Sequence, residues 1–176
     1  MAIMTQIAIE VRPARMSDAA ALAALHDEAW RLAYRGIIPA LTLERMLARR
    51  GGGRWRRRVR LAQDRLLVLS FDTTIAGYAS IGPARAEIAG CSGEISELYF
   101  KPEYQGVGLG SILLKAARQR LTMRGHAGQF AWALAENQLA CAFYEARGGI
   151  AKARIGEQLG DKILQKIAYC WPRGAA

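Results

Sequence analysis

The sequence predicts a mixed α/β protein (α+β): a central sheet of about seven strands with helices on its faces, in the order β-α-α-β-β-β-α-β-α-β-β. Three observations predict it. Three strand-like runs, residues 66–71, 75–82 and 94–100, follow one another without a helix between them, which suits a mixed sheet better than a regular βαβ repeat. Elsewhere apolar residues recur at helical spacing, bounded by recognisable caps and stops. Finally, glycines at 106, 108 and 110 stand on alternate positions between a strand and a helix-like apolar run.

Each element has its local reason. Residues 7–12, IAIEVR, alternate apolar and polar and predict a first strand, ended by Pro13. Ser17 is a good N-cap for a helix through about Tyr34, with Leu22, Leu25, Ala29 and Leu32 on one face. Pro39 and Thr42 open a second helix through about Arg50, which runs into Gly51-Gly52-Gly53 and an arginine-rich segment. LLVLSF (66–71) and IAGYASIG (75–82) flank Asp72-Thr73-Thr74 and predict a hairpin. A glycine- and alanine-rich loop leads to the strand EISELYF (94–100). After the glycine turn a helix runs over 109–124 and stops at Gly125. FAWAL (130–134) is a short buried strand, Asn137 caps a helix ending at Gly148, and strands follow near 150–155 and 163–170.

The chain's 176 residues are read as a single domain, 1–176, long enough to bury its own core. Hydrophobic residues at 52% against 23% charged exclude a disordered chain. No apolar run approaches the roughly 18 residues of a membrane helix. The start MAIMTQIAIEVRPARM lacks the basic, apolar and cleavage regions of a secretory signal. Cys91, Cys141 and Cys170 are far apart and in no metal-ligand spacing, so reduced thiols, no metal and a cytoplasmic location are expected. The net charge of +10 is local: residues 49–60, RRGGGRWRRRVR, hold seven arginines and no acid. Nucleic-acid binding by this patch would be nonspecific, because no base-reading pattern accompanies it. The alternative is a solvated helix end beside a phosphate-rich ligand. A homodimer is left open.

The glycines ask which anion they hold. A dinucleotide fingerprint needs GxGxxG directly after the first strand and an acid about twenty residues on. Here the turn follows the fourth strand, and residues 126–129 contain no acid. A P-loop needs Gly-Lys-Ser/Thr, and Gly110-Ser111 has no lysine between them.

The segment EISELYFKPEYQGVGLGSILL from Glu94 closely resembles the central motif of the GNAT superfamily of acyl-CoA-dependent N-acyltransferases. Its defining Gln/Arg-x-x-Gly-x-Gly/Ala is matched by Gln105-Gly106-Val107-Gly108-Leu109-Gly110. FAWALAENQLACAFYEARGG resembles the family's second motif, a strand, an asparagine, a helix and a Phe-Tyr pair. The likeness extends more weakly over nearly the whole chain, including HDEAWRLAYRGIIP. It implies an N-acetyltransferase that takes acetyl-CoA as donor and a primary amine, of a small molecule, as acceptor. A protein N-terminal or lysine amine is the alternative acceptor. A noncatalytic acyl-CoA sensor or a nucleic-acid module is the contrasting reading.

The resemblance also implies roles. Leu98, Tyr99 and Phe100, on a strand that splays from its neighbour, would pair with the pantetheine arm as an added strand. The turn from Gln105 through Gly106, Val107, Gly108, Leu109, Gly110 and Ser111 would hold the pyrophosphate, using helix-start N–H groups that lack intrahelical partners. Many relatives carry a cation inside the turn; here only Lys101, Lys115 and Arg118 are near enough in sequence to help. Asn137 would contact the cofactor while capping its helix. Tyr144 would donate to the departing sulfur, with Phe143 in the core.

The attacking ammonium must lose a proton, and Glu94 is the first candidate base, with Glu97 second. On a regular strand these two would face opposite sides unless a bulge intervenes. Both could instead be paired carboxylates, with water relaying the proton. Trp30 and Tyr34, with Arg35, would line the acceptor groove, or sit in the core.

Overall fold

The computed structural model describes residues 8–51 and 53–173. Its strands form one seven-stranded sheet in the order β1-β2-β3-β4-β5-β7-β6. These strands are β1 (Ile9–Pro13), β2 (Leu66–Phe71), β3 (Thr74–Ile88), β4 (Cys91–Phe100), β5 (Gln129–Leu134), β6 (Ile150–Leu159) and β7 (Lys162–Trp171). All neighbours are antiparallel except β4 and β5. The mixed sheet of the prediction is what the chain forms. Of the expected first strand, residue 7 lies outside the described residues.

The helices are α1 (Ala19–Tyr34), α2 (Ala40–Arg50), α3 (Arg54–Ala62), α4 (Leu109–Met123) and α5 (Gln138–Glu145). Leu66 and Val68 of β2 face the α1 and α3 side, packing with Leu22, Leu25, Trp55 and Tyr78. Leu67 and Leu69 face α4 and its Leu113, Ala117 and Leu121. A strand buried on both faces must be apolar throughout, which is why LLVLSF does not alternate.

Two differences from the sequence reading bear on function. The arginine segment is a third helix before β2, not the end of the second. Trp55 and Val59, four residues apart, are its only fully buried side chains, and the arginines cover the rest of its surface. The supposed loop before residue 94 is instead the continuation of a long hairpin, β3 to Ile88 and β4 from Cys91.

Register carries the second consequence. Ser80 pairs with Glu97, and Ile81 pairs with Ile95, so Ser96 is an extra residue on β4. Its Oγ donates to the Ser80 carbonyl at 3.2 Å. The bulge reverses the parity of β4, and Glu94 and Glu97 emerge on the same face.

Candidate active site

β4 and β5 pair only from Gly93/Gln129 to Ile95/Ala131. Beyond the bulge they separate, and a groove of about 480 Å³ opens between β4, the glycine turn and α5. Leu98, Tyr99 and Phe100 line it, with β4's edge unpaired toward β5. Gln105 ties the turn to the end of the strand, donating from Nε2 to the Phe100 carbonyl at 3.2 Å.

The glycines of the turn do different work. Gly106 and Gly108 have φ of +74° and +87°, and a Cβ on either would meet nothing within 4 Å. They bend the chain in the left-handed region and keep the groove's end bare of side chains. Gly110 has ordinary helical geometry, but a Cβ there would sit 2.7 Å from the Phe143 ring. It lets α4 and α5 approach at the groove, which Gly110 and Phe143 both line. Leu109 is buried in the core and Val107 is exposed, so within the turn their side chains do not line the groove.

Arg147, which sequence reasoning missed, is a cation that stands at the turn and lines the groove. It lies just beyond α5 and reaches Ser111 at the start of α4, donating from Nε to Oγ at 2.8 Å and from Nη1 to the Phe143 carbonyl at 3.0 Å. Its guanidinium stacks 3.9 Å over the Phe143 ring. The signal available in the sequence was an arginine three residues after Tyr144, but only the fold brings it to the turn. Neither Lys101 nor Lys115 lines the groove, and Arg118 is elsewhere, over Trp171 and hydrogen-bonded to Gln129. A bare helix start, a nearby guanidinium and an open strand edge together fit an extended cofactor bearing a pyrophosphate.

Asn137 and Tyr144 stand on the groove's α5 wall. Asn137 caps α5, its Oδ1 accepting from the Ala140 N–H at 3.2 Å. Tyr144 packs against Phe143, Tyr169 and Trp171. Its hydroxyl has no hydrogen bond to another described residue, and burial pushes its pKa up, so the phenol keeps its proton.

A second cleft, of about 320 Å³, lies along the bulged stretch of β4, bordered by Trp30, Tyr34 and Arg50 and by residues of β6 and β7. Tyr99 lines both clefts. Its hydroxyl meets that of Tyr34 at 2.6 Å, and burial raises the pKa of both. Trp30 and Tyr34 are thus cleft wall and packing residues together, their rings edge to face at 5.2 Å. Arg35 lies on a different hollow.

The two glutamates share this cleft but differ in what holds them. Glu94 is 2% exposed, and both oxygens are occupied. Oε2 accepts from the Arg85 backbone N–H at 3.0 Å and Nε at 3.1 Å, and Oε1 from Nη2 at 2.7 Å. Among the described residues, Glu97 Oε2 is held by Arg58 at 2.7 Å and Oε1 meets Arg50 at 3.5 Å.

The remaining nucleophile candidates lie away from both clefts or are unsuited. Burial raises the Cys91 thiol and pushes Cys170 up to about 12, far from thiolate formation at neutral pH. His26 is buried between Trp30 and Trp55, and burial lowers its pKa although Asp27 opposes this. Among the described residues no three His, Cys, Asp or Glu cluster as a metal site, and no helix is long and apolar enough to cross a membrane.

A model of the acetyltransferase (GNAT) family matches residues 22–149. YuaI of Bacillus subtilis (strain 168), an uncharacterized N-acetyltransferase, is 29% identical over 168 residues, 93% of each chain. The PaiA N-acetyltransferase of Thermoplasma acidophilum, solved in complex with coenzyme A, superposes with TM-score 0.71 at 22% identity, over 92% of this chain and 99% of that one. YncA of Salmonella typhimurium, solved with its cofactor acetyl-CoA, gives 0.66 at 18% identity over 94% of each chain.

Proposed function

The chain belongs to the acetyltransferase (GNAT) family, and from that premise we propose that it carries an acetyl group from acetyl-CoA to the primary amine of a small molecule, by direct attack in a ternary complex. The observation that carries this reading is Tyr99, the side chain common to an elongated groove and a compact cleft. Two substrates entering these spaces meet without a covalent enzyme intermediate. A cleft of about 320 Å³ is the size of a small-molecule site, which favours a small amine over a protein segment.

The bound donor would supply an acetyl thioester. The chain's own residues would do the rest. The edge of β4 beyond Ile95 would align the cofactor arm, the turn at Gly106 and Gly108 would offer backbone N–H groups to its phosphates, and Arg147 would offset their charge. An amine of pKa ~10 is almost wholly ammonium at neutral pH and must lose a proton before it attacks. Glu97 is the group that takes it, directly or through water, because its Oε1 is only lightly held. Glu94, named first from sequence, has no oxygen to spare and serves to fix Arg85. Tyr144, which keeps its phenolic proton, would donate a hydrogen bond to the donor's sulfur.

The test is release of coenzyme A thiol across an amine panel, with the acetylated product identified by mass. Amine-dependent release with a small acceptor supports the reading. Acetylation confined to protein amines would contradict the small-molecule assignment, and cofactor binding without release on any amine would make the protein a sensor.

A further inference from the structure

We propose that the acceptor is an amine that also carries a carboxylate, and that Arg50 is the residue that holds this anion. The proposal rests on the acetyltransferase reading above and adds the class of acceptor. The cleft is bordered by four cations, Arg50, Arg58, Arg85 and Lys166, and three acids, Glu94, Glu97 and Glu157. Each acid has a close partner among the cations other than Arg50: Glu94 with Arg85 at 2.7 Å, Glu97 with Arg58 at 2.7 Å, and Glu157 with Lys166 at 3.0 Å. Among the described residues, Arg50 is left with one acidic partner, Glu97 at 3.5 Å. Four cations against three acids leave an excess of one positive charge, and Arg50 is where it sits.

Arg50 is also placed to use its charge. Its guanidinium lies 4.5 Å over the Trp30 ring, which fixes the plane of the fork while leaving its edges available. Its side chain is 44% exposed at the cleft. A guanidinium has five N–H donors, and a carboxylate accepts two of them side by side. A diamine or polyamine would find the reverse: a second ammonium would enter a cleft whose acids are already paired. Excess positive charge serves the chemistry as well, because cations near the amine disfavour its ammonium form and favour the attacking free base.

The arginine segment then finds a role. Arg49, Arg54, Arg56, Arg57 and Arg60 are exposed on α2 and α3, the two helices that bring Arg50 and Arg58 to the cleft. Among the described residues none of the five has an acidic partner within 4.0 Å. They form a positive rim that raises the local concentration of an anionic acceptor and repels a cationic one.

The experiment compares common L-amino acids, each with its own amide, and α,ω-diamines, by thiol release at saturating acetyl-CoA. Converting the acid to the amide lowers the amine's pKa and so favours the amide chemically, which makes the comparison conservative. At least one amino acid should exceed its amide by tenfold or more in kcat/KM. Arg50→Gln should bring that ratio close to one through KM, and Arg50→Lys should restore part of it. Added salt should lower kcat/KM for the acid more steeply than for the amide. A wild-type preference for amides or diamines, or a ratio unchanged in Arg50→Gln, would overturn the proposal while leaving the acetyltransferase reading standing. Failure of every amine to elicit thiol release would overturn both, and an acetyl-CoA melting shift measured alongside shows whether the donor site is intact. Equal salt slopes for acid and amide, with retention of the protein on DNA lost in Arg54→Gln/Arg56→Gln/Arg57→Gln, would assign the rim to nucleic acid and refute its steering role.

Discussion

Tyr144→Phe isolates one hydroxyl. The ring remains packed 5.3 Å from Phe143, 5.8 Å from Tyr169 and 5.7 Å from Trp171, centroid to centroid. The deleted hydroxyl has no partner among the described residues, so nothing is orphaned, and stability should change by no more than about 0.5 kcal/mol. Function is another matter. A coenzyme A thiol resembles cysteine, with pKa ~8.5, and the burial-raised phenol is a weaker acid still. Outright proton transfer from Tyr144 is therefore uphill, and its contribution is a hydrogen bond to developing negative charge on sulfur. Such a bond is worth about 1.5–3 kcal/mol. At about 1.4 kcal/mol per decade this is roughly a ten- to hundred-and-fifty-fold loss of kcat. Because the charge develops only as the bond breaks, acetyl-CoA affinity should change little. The raised pKa keeps the phenol protonated, so the ratio of wild type to variant should stay flat up to about pH 10. The assay is single-turnover thiol release under conditions where chemistry limits the rate. An unaltered rate would remove Tyr144 from the mechanism, and lost cofactor binding would make it a packing residue.

Glu97→Gln should lower kcat by about a hundredfold or more and also lower the melting temperature, because it leaves Arg58 without its carboxylate partner, whereas Glu94→Gln should cost about 1–3 kcal/mol of stability and much less activity. Equal kinetic losses in the two variants would contradict their separate roles. Gly110→Ala puts a methyl 2.7 Å from the Phe143 ring, and should cost about 1–3 kcal/mol and weaken acetyl-CoA binding; adding Phe143→Leu should recover much of both. At Asp18, burial pushes the carboxyl up, but Arg12 at 2.7 Å and the Arg15 N–H outweigh it and hold the pKa below the ordinary value. The folded pKa is depressed, so this stabilisation is present above the unfolded value of ~3.9 and is lost as pH falls through the folded one. Asp18→Asn should therefore melt below wild type at neutral pH, and the two curves should converge in acid.

What was legible in the sequence was local. The glycine turn, the Asn137 cap and the unbroken LLVLSF strand each depend on neighbours within a few residues. The two motifs in order carried the fold. α3 escaped notice because its five arginines hide a helix whose buried stripe is only Trp55 and Val59. The extension of β3 and β4 toward each other passes through alanine and glycine, which have little strand preference of their own. Placing both glutamates on one face needed the bulge at Ser96, and that was foreseen only as a condition. Ranking them needed Arg85 and Arg58, which approach through tertiary structure. Arg147 reaches Ser111 across 36 positions, a distance no local pattern spans.

The central claim is that the groove between β4, the glycine turn and α5 is an acetyl-CoA site, and a melting curve in its presence tests that most directly. Binding to the folded chain alone should stabilise it by about 2.7 kcal/mol at a hundredfold excess over Kd. The account predicts a melting temperature that climbs with acetyl-CoA concentration, with a smaller rise in Arg147→Ala, where the guanidinium at Ser111 is gone. A melting temperature that does not move at millimolar acetyl-CoA would contradict it.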